Sequence, residues 1–217
     1  MPIPPFPKIY HITHVDNLSG IVAAGCLWSD SERIVRSADC RVVGMGSIKR
    51  RRLERLVVRC HPGTMVGEYV PFYFCPRSVM LYILHMGNHP DLDYTGGQRA
   101  IVHLQADLRK TIQWASTEAT LWAFTDRNAA VGYAGFYHRW SDLEMLDWRA
   151  IQATDFREPA VKEGKQAEFL VYRRFPWSLV EGIGVVDSEM AKVARAETAE
   201  AAHRPKVQVE RGWYYRR

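Results

Sequence analysis

With 217 residues, 47% of them hydrophobic and 12% aromatic, the chain has the composition of a folded domain with a full core, not of a disordered segment. No apolar run reaches the roughly 18 residues needed to span a bilayer, and the start, Met1-Pro2-Ile3-Pro4-Pro5-Phe6-Pro7, has neither the basic head nor the long apolar stretch of a signal peptide. A single domain over 1–217, in the cytoplasm and without a membrane partner, is therefore the expectation. The formal charge of +5 is modest but uneven: Lys49, Arg50, Arg51, Arg52, Arg55 and Arg59 crowd one stretch, with smaller groups at Arg173-Arg174 and at Arg211, Arg216 and Arg217. Such clustering favours a polyanionic partner, and it also fits a solvated helix face.

In chain order, Lys8 to Thr13 reads as a strand. On it His11 and Thr13 share a face, where an imidazole and a hydroxyl can hold a sugar diol or a carboxamide, or be ordinary strand-end polar residues. Val15 to Ala24 reads as a helix ended by Gly25. Ser29 to Met45 is weakly patterned and reads as a long loop, and Ser47 to Leu56 as a basic helix. Glu68 to Cys75 is a strand in which Pro71 suggests an edge or a bulge. Ser78 caps an apolar helix to Met86. Ala100 to Gln105 is a strand, Ala106 to Thr111 a short helix, and Thr120 to Phe124 a strand. Asp126 caps a helix to about Tyr133, and Leu143 to Ile151 is another. Asp155 to Gln166, with Pro159 and Gly164, reads as a loop. Leu179 to Val186 is a turn and strand, Ser188 to Ala202 a helix, and Val207 to Tyr215 closes with strand residues. Strands and helices do not alternate strictly, so the fold class is α+β.

The four cysteines, Cys26, Cys40, Cys60 and Cys75, form no CxxC pair, so reduced thiols and no metal are expected. No GxGxxG opens a strand-to-helix turn, and GxxxxGK[ST], GxSxG and HExxH are absent. What stands out is Glu168 in the apolar run Ala167-Glu168-Phe169-Leu170-Val171-Tyr172. That run reads as a strand, where an unpaired buried carboxylate costs several kcal/mol unless it has a task. The aromatics from Trp122 to Trp148 fit a core. In the cluster Phe136-Tyr137-His138-Arg139-Trp140, five consecutive bulky residues cannot all face inward, which makes it the best contact candidate.

Four blocks in order, Tyr10-His11-Ile12-Thr13-His14-Val15-Asp16-Asn17-Leu18, Ile48-Lys49-Arg50-Arg51-Arg52, Val70-Pro71-Phe72-Tyr73-Phe74 with Arg77-Ser78-Val79-Met80-Leu81-Tyr82, and Gln166-Ala167-Glu168-Phe169-Leu170-Val171, resemble the DarT family of DNA ADP-ribosyltransferase toxins, and most of all its thymidine-modifying class. The resemblance implies an ADP-ribosyltransferase fold, a split and mainly antiparallel β core with flanking helices and NAD⁺ in its cleft. It implies transfer of ADP-ribose from NAD⁺, a co-substrate, to a thymidine base in single-stranded DNA, as a monomer, with the mark removed by the macrodomain antitoxin DarG. Carried over by position, Glu168 and Arg51 would be catalytic, with the arginine register open among Arg50, Arg51 and Arg52. His11, Thr13, Asn17, Tyr73, Ser78, Met80 and Tyr82 would hold NAD⁺. The stretch from about Asp155 to Lys165 would be the substrate loop, with Lys162 and Lys165 where the family has an arginine. Arg50, Arg52, Tyr137, His138, Trp140, Lys162 and Lys165 would meet DNA. The alternatives are a transferase acting on another base, on RNA or on protein, and a non-catalytic domain that binds single-stranded nucleic acid.

Overall fold

The computed structural model describes residues 2–216; Met1 and Arg217, the last of the C-terminal cations, lie outside them. Strand β1 (Lys8–His14) runs through one 3₁₀ turn into helix α1 (Leu18–Ala24), which Gly25 ends at φ +67°. Strand β2 (Cys26–Trp28) and helices α2 (Asp30–Val35) and α3 (Gly46–Glu54) follow. Next come β3 (Tyr69–Tyr73), α4 (Val79–Met86), β4 (Ile101–Asp107) and α5 (Leu108–Thr117). Then follow β5 (Trp122–Thr125), β6 (Phe136–Tyr137), α6 (Trp148–Gln152) and α7 (Pro159–Gly164). The chain closes with β7 (Glu168–Tyr172), β8 (Arg174–Pro176), β9 (Val180–Val185), α8 (Ser188–Glu197) and β10 (Lys206–Val209).

Eight strands form one sheet in the order β10-β9-β4-β1-β3-β7-β5-β6, antiparallel throughout except for the β10–β9 pair, and β2 pairs with β8 apart from it. The sheet divides at β1 and β3. Seven register pairs tie β1 to β4 and five tie β3 to β7, whereas Tyr10↔Tyr73 alone joins β1 to β3. Pro71 accounts for part of this. The His11 Nδ1–H donates to the Pro71 carbonyl at 2.8 Å, so that carbonyl points at β1. In a strand the N–H of the same residue points the same way, and proline has none. The ladder therefore has no donor at the next paired position. Pro71 sits in an interior strand of the order, yet it behaves as the sequence suggested, at a local edge.

The core spreads over both halves, from Ile9, Val102 and Leu104 to Phe72, Phe169 and Val171, with Phe74 edge-on to Phe124, Trp148 and Phe169. Several elements differ from expectation, each for a local reason. Ser29 accepts from the Glu32 N–H and nucleates α2 inside the expected loop. Asp126 does not cap a helix: its carboxylate takes the Gly135 N–H and the Arg127 guanidinium, which fixes a run of turns instead. The expected helix at 143–151 is divided at Leu146-Asp147, where Asp147 caps α6. Pro159 opens the short α7 within the expected loop.

Candidate active site

Glu168 opens β7 and is 2% exposed. Its two oxygens receive the guanidinium of Arg52, Nη1 to Oε1 at 3.2 Å and Nη2 to Oε2 at 2.9 Å. Oε1 also accepts the Ala129 N–H at 3.0 Å, so Oε2 has the more spare acceptor capacity. The backbone N–H of Glu168 donates to Thr125 Oγ1, which itself donates to the Arg127 carbonyl at 2.6 Å. Helix phase decides which arginine serves. Ile48 and Arg52 lie four apart on the inner face of α3, while Arg50 and Arg51 are exposed. The arginine on the carboxylate is thus Arg52, not Arg51, whose Nη2 reaches only the Ala130 carbonyl at 3.3 Å. Burial alone would lower the Arg52 pKa; the Glu168 charge outweighs it and keeps the guanidinium protonated.

Tyr73 is the register partner of both Glu168 and Tyr10 and stands at the seam. Burial first, and then the Glu168 charge, push its phenol well above the usual range. His11 follows Tyr10 by one residue. Burial pushes its pKa down, and with Nδ1–H given to Pro71 the ring is neutral with Nε2 as an acceptor. Lys49, Asp30 and Arg33 act on this ring, and Asp30 also acts on Arg52, so His11 and the Arg52–Glu168 pair share one electrostatic neighbourhood. Lys49 and Arg33 both donate to Asp30 Oδ1, at 2.8 and 2.9 Å. Thr13 Oγ1 accepts the Asn17 amide at 2.9 Å. That amide is otherwise occupied with the backbone of Arg41, whose N–H it accepts at 2.7 Å and to whose carbonyl it donates at 3.0 Å. Asn17 therefore joins β1 to the segment before α3 and positions that segment instead of presenting a free group.

The remaining predicted residues scatter. Ser78 is fully buried and caps α4 through the Leu81 N–H, and Met80 packs beside the cluster of Leu81, Leu84, Ile101 and Tyr214. Tyr82 packs against Phe156 and Tyr215, at ring separations of 5.4 and 5.1 Å. Tyr137 stacks on Phe124 at 5.2 Å and Trp140 lies under Arg109, both half-buried, while His138 is exposed beside His61. Arg50 and Lys162 are exposed. Lys165 is 3% exposed, its ammonium donating to the Ile151 carbonyl at 2.9 Å and lying 3.5 Å from Cys75 Sγ; the expectation that it meets DNA is corrected by this burial. Sequence reasoning placed Phe156 in the substrate loop without singling it out, and missed Asp30, the Ala129 amide and Tyr215. Ser29-x-x-Glu32 was the available signal for α2 and so for Asp30; nothing local announces the others.

A family model described as ssDNA thymidine ADP-ribosyltransferase, DarT, matches residues 10–215. A DNA ADP-ribosyl transferase of Thermus aquaticus is 43% identical over 212 residues, 96% of this chain and 89% of that protein. A more distant relative from Thermosipho africanus, 29% identical over 192 residues, is a fusion of DNA ADP-ribosyl transferase and DNA ADP-ribosyl glycohydrolase, of which the match covers 45%. Among solved structures, Thermus sp. 2.9 DarT in complex with ADP-ribosylated ssDNA superposes with a TM-score of 0.86 at 37% identity, covering 99% of each chain. The same protein in complex with NAD⁺ gives 0.80 at 36% identity over 99% of this chain and all of the other. The fold of this chain is thus that of these solved structures, and the chain belongs to the DarT family of ssDNA thymidine ADP-ribosyltransferases.

Proposed function

We propose that this chain transfers ADP-ribose from NAD⁺ to the ring nitrogen of a thymidine in single-stranded DNA, with Glu168 and Arg52 as its catalytic pair. The observation that carries the reading is the bidentate Arg52–Glu168 pair, on the strand next to the seam and opposite Tyr73. When NAD⁺ gives up its nicotinamide, positive charge builds on the ribose as in glycoside cleavage. A fixed carboxylate beside the sugar stabilises it, and Arg52 and the Ala129 amide hold that carboxylate in place without reorganisation. Thymine becomes nucleophilic only when its ring N–H is lost. Glu168 Oε2, with one bond against two on Oε1, is the oxygen that accepts this proton. The Nε2 of His11 and the hydroxyl hydrogen of Thr13 remain to bind the sugar and amide groups of NAD⁺, and the Tyr73 ring stacks on nicotinamide.

An unpaired base can be reached without the cost of extrusion from a duplex, and the exposed Arg50, Arg51 and Lys162 supply cations for the strand's phosphates. The enzyme acts as a monomer, in the cytoplasm where NAD⁺ and DNA meet. Among the described residues no helix is long and apolar enough to cross a membrane. A macrodomain antitoxin, DarG, removes the mark; the fused glycohydrolase in the Thermosipho relative supports such a partner. The test is incubation with labelled NAD⁺ and separate pools of single-stranded DNA, duplex DNA, RNA and protein. Label is expected on thymidine-containing single strands, and Glu168→Gln should lose it. Full labelling by Glu168→Gln, or label confined to duplex, RNA or protein, would overturn the reading.

A further inference from the structure

Beyond the seam, a cavity of about 370 Å³ is bounded by Tyr82, Phe156, Tyr215, Arg77, Arg157 and Lys162. It draws on three separate pieces of chain: α4, the segment before α7, and the C-terminal tail. The tail is built in. Gln98 accepts the Tyr215 N–H at 3.1 Å and donates to its carbonyl at 2.6 Å, and the Tyr215 hydroxyl donates toward the Arg77 and Ser78 carbonyls at 2.9 and 3.1 Å. Tyr82, Phe156 and Tyr215 meet edge-on, at interplanar angles of 68° to 87°. None of the three therefore stacks flat on another, and Tyr82 is 37% exposed although it lies in a concavity.

The charge at this cavity is positive. Arg77 and Lys162 have no carboxylate partner among the described residues, and the Arg77 Nε is buried without a hydrogen-bond acceptor. The acidic residue at the rim, Asp155, is neutralised by Arg157, which donates to both its oxygens. Arg77 lies over the Tyr215 ring at 4.6 Å and His85 stacks on that ring, so the aromatic surface left for a ligand is that of Tyr82 and Phe156; beside these cations it fits a nucleotide with its phosphate. The cavity adjoins another that reaches β1. A second cavity of about 320 Å³ shares Arg77 and Thr154 with it and is lined by Tyr10, the register partner of Tyr73, which in turn pairs with Glu168.

We infer that Tyr82, Phe156 and Tyr215, with Arg77 and Lys162, form a subsite for one unpaired nucleotide flanking the modified thymidine, so that the C-terminal tail takes part in choosing the DNA sequence. The inference rests on the single-stranded DNA reading and removes Tyr82 from the NAD⁺ site.

The test is equilibrium binding of a single-thymidine oligonucleotide, scanned with abasic replacements on either side of the thymidine, without turnover. The intact protein is expected to lose about tenfold in affinity at one flanking position, the loss of one base stacked on an aromatic. In Phe156→Ala and Tyr82→Ala that penalty should vanish, Phe156→Trp should restore it, and NAD⁺ affinity of Phe156→Ala should be unchanged. An equal penalty in the intact protein and both alanine variants would overturn the subsite. So would a loss of NAD⁺ affinity with the abasic pattern intact, which would return these rings to the cofactor. Because the assay reads binding, a positional penalty without label transfer would support the subsite while removing the catalytic reading.

Discussion

Replacing Arg52 separates the structural from the catalytic demands on Glu168. The pair is deeply placed, its side chains 13% and 3% exposed, so Arg52→Ala leaves a carboxylate that keeps only the Ala129 N–H. Breaking a buried pair from one side costs about 3–5 kcal/mol. A destabilisation of about 3–5 kcal/mol is therefore expected, or roughly 10 °C in Tm for a chain of this length. Arg51→Ala removes one long bond from an exposed side chain and should stay within about 0.5 kcal/mol. Adding Glu168→Gln to Arg52→Ala removes the stranded charge and should recover most of the loss. Urea unfolding of the four proteins, paired with the labelling assay, reads both demands. Equal destabilisation by Arg51→Ala and Arg52→Ala, or no recovery in the double variant, would refute the reasoning.

Three further outcomes are expected. Asn17→Ala breaks three hydrogen bonds that tie β1 to Arg41; it should cost about 2 kcal/mol, raise the KM for NAD⁺, and speed hydrogen exchange at the Arg41 amide, which should otherwise be protected. Burial lowers the His103 pKa from 6.5 to about 4. In that window the unfolded chain binds more protons than the native one, so stability is full above pH 6.5 and falls by on the order of 3 kcal/mol as pH drops to 4. His11 and His14 act in the same direction. His103→Gln should flatten the decline measured by urea unfolding, and an unchanged slope would count against it. Finally, the exposed Lys162 and the buried Lys165 should part in salt titrations of DNA binding: Lys162→Ala should reduce the slope by about 0.7, whereas Lys165→Met should leave it unchanged.

Much of the site was legible wherever a residue's own chemistry announces its position. A glutamate in an apolar strand, a histidine and a threonine two apart at the start, Gly25 after a helix and Ser78 before one all lie where local rules put them. What escaped depends on phase or on distant chain. Arg50, Arg51 and Arg52 are chemically identical, and the turn of about 100° between neighbours on a helix decides which one reaches Glu168. Lys165 looks like a surface cation until α6 closes over it with the Ile151 carbonyl. Asp126 had two competing uses for its carboxylate, and the turn containing Gly135 took it. Phe156 and Tyr215, 59 positions apart, meet only through the tertiary fold.

Pro71 shows a cost accepted for access. A valine there would extend β3 with a stronger strand former and offer β1 the missing donor, and the two half-sheets could then zip past Tyr10 and Tyr73. The result would be a more continuous sheet with less room at its seam. A variant selected for thermal stability alone would be drawn toward that closure, whereas one selected for turnover should keep the imino acid. The opening is thus maintained by withholding a hydrogen bond, and position 71 is where selection for rigidity and selection for activity pull in opposite directions.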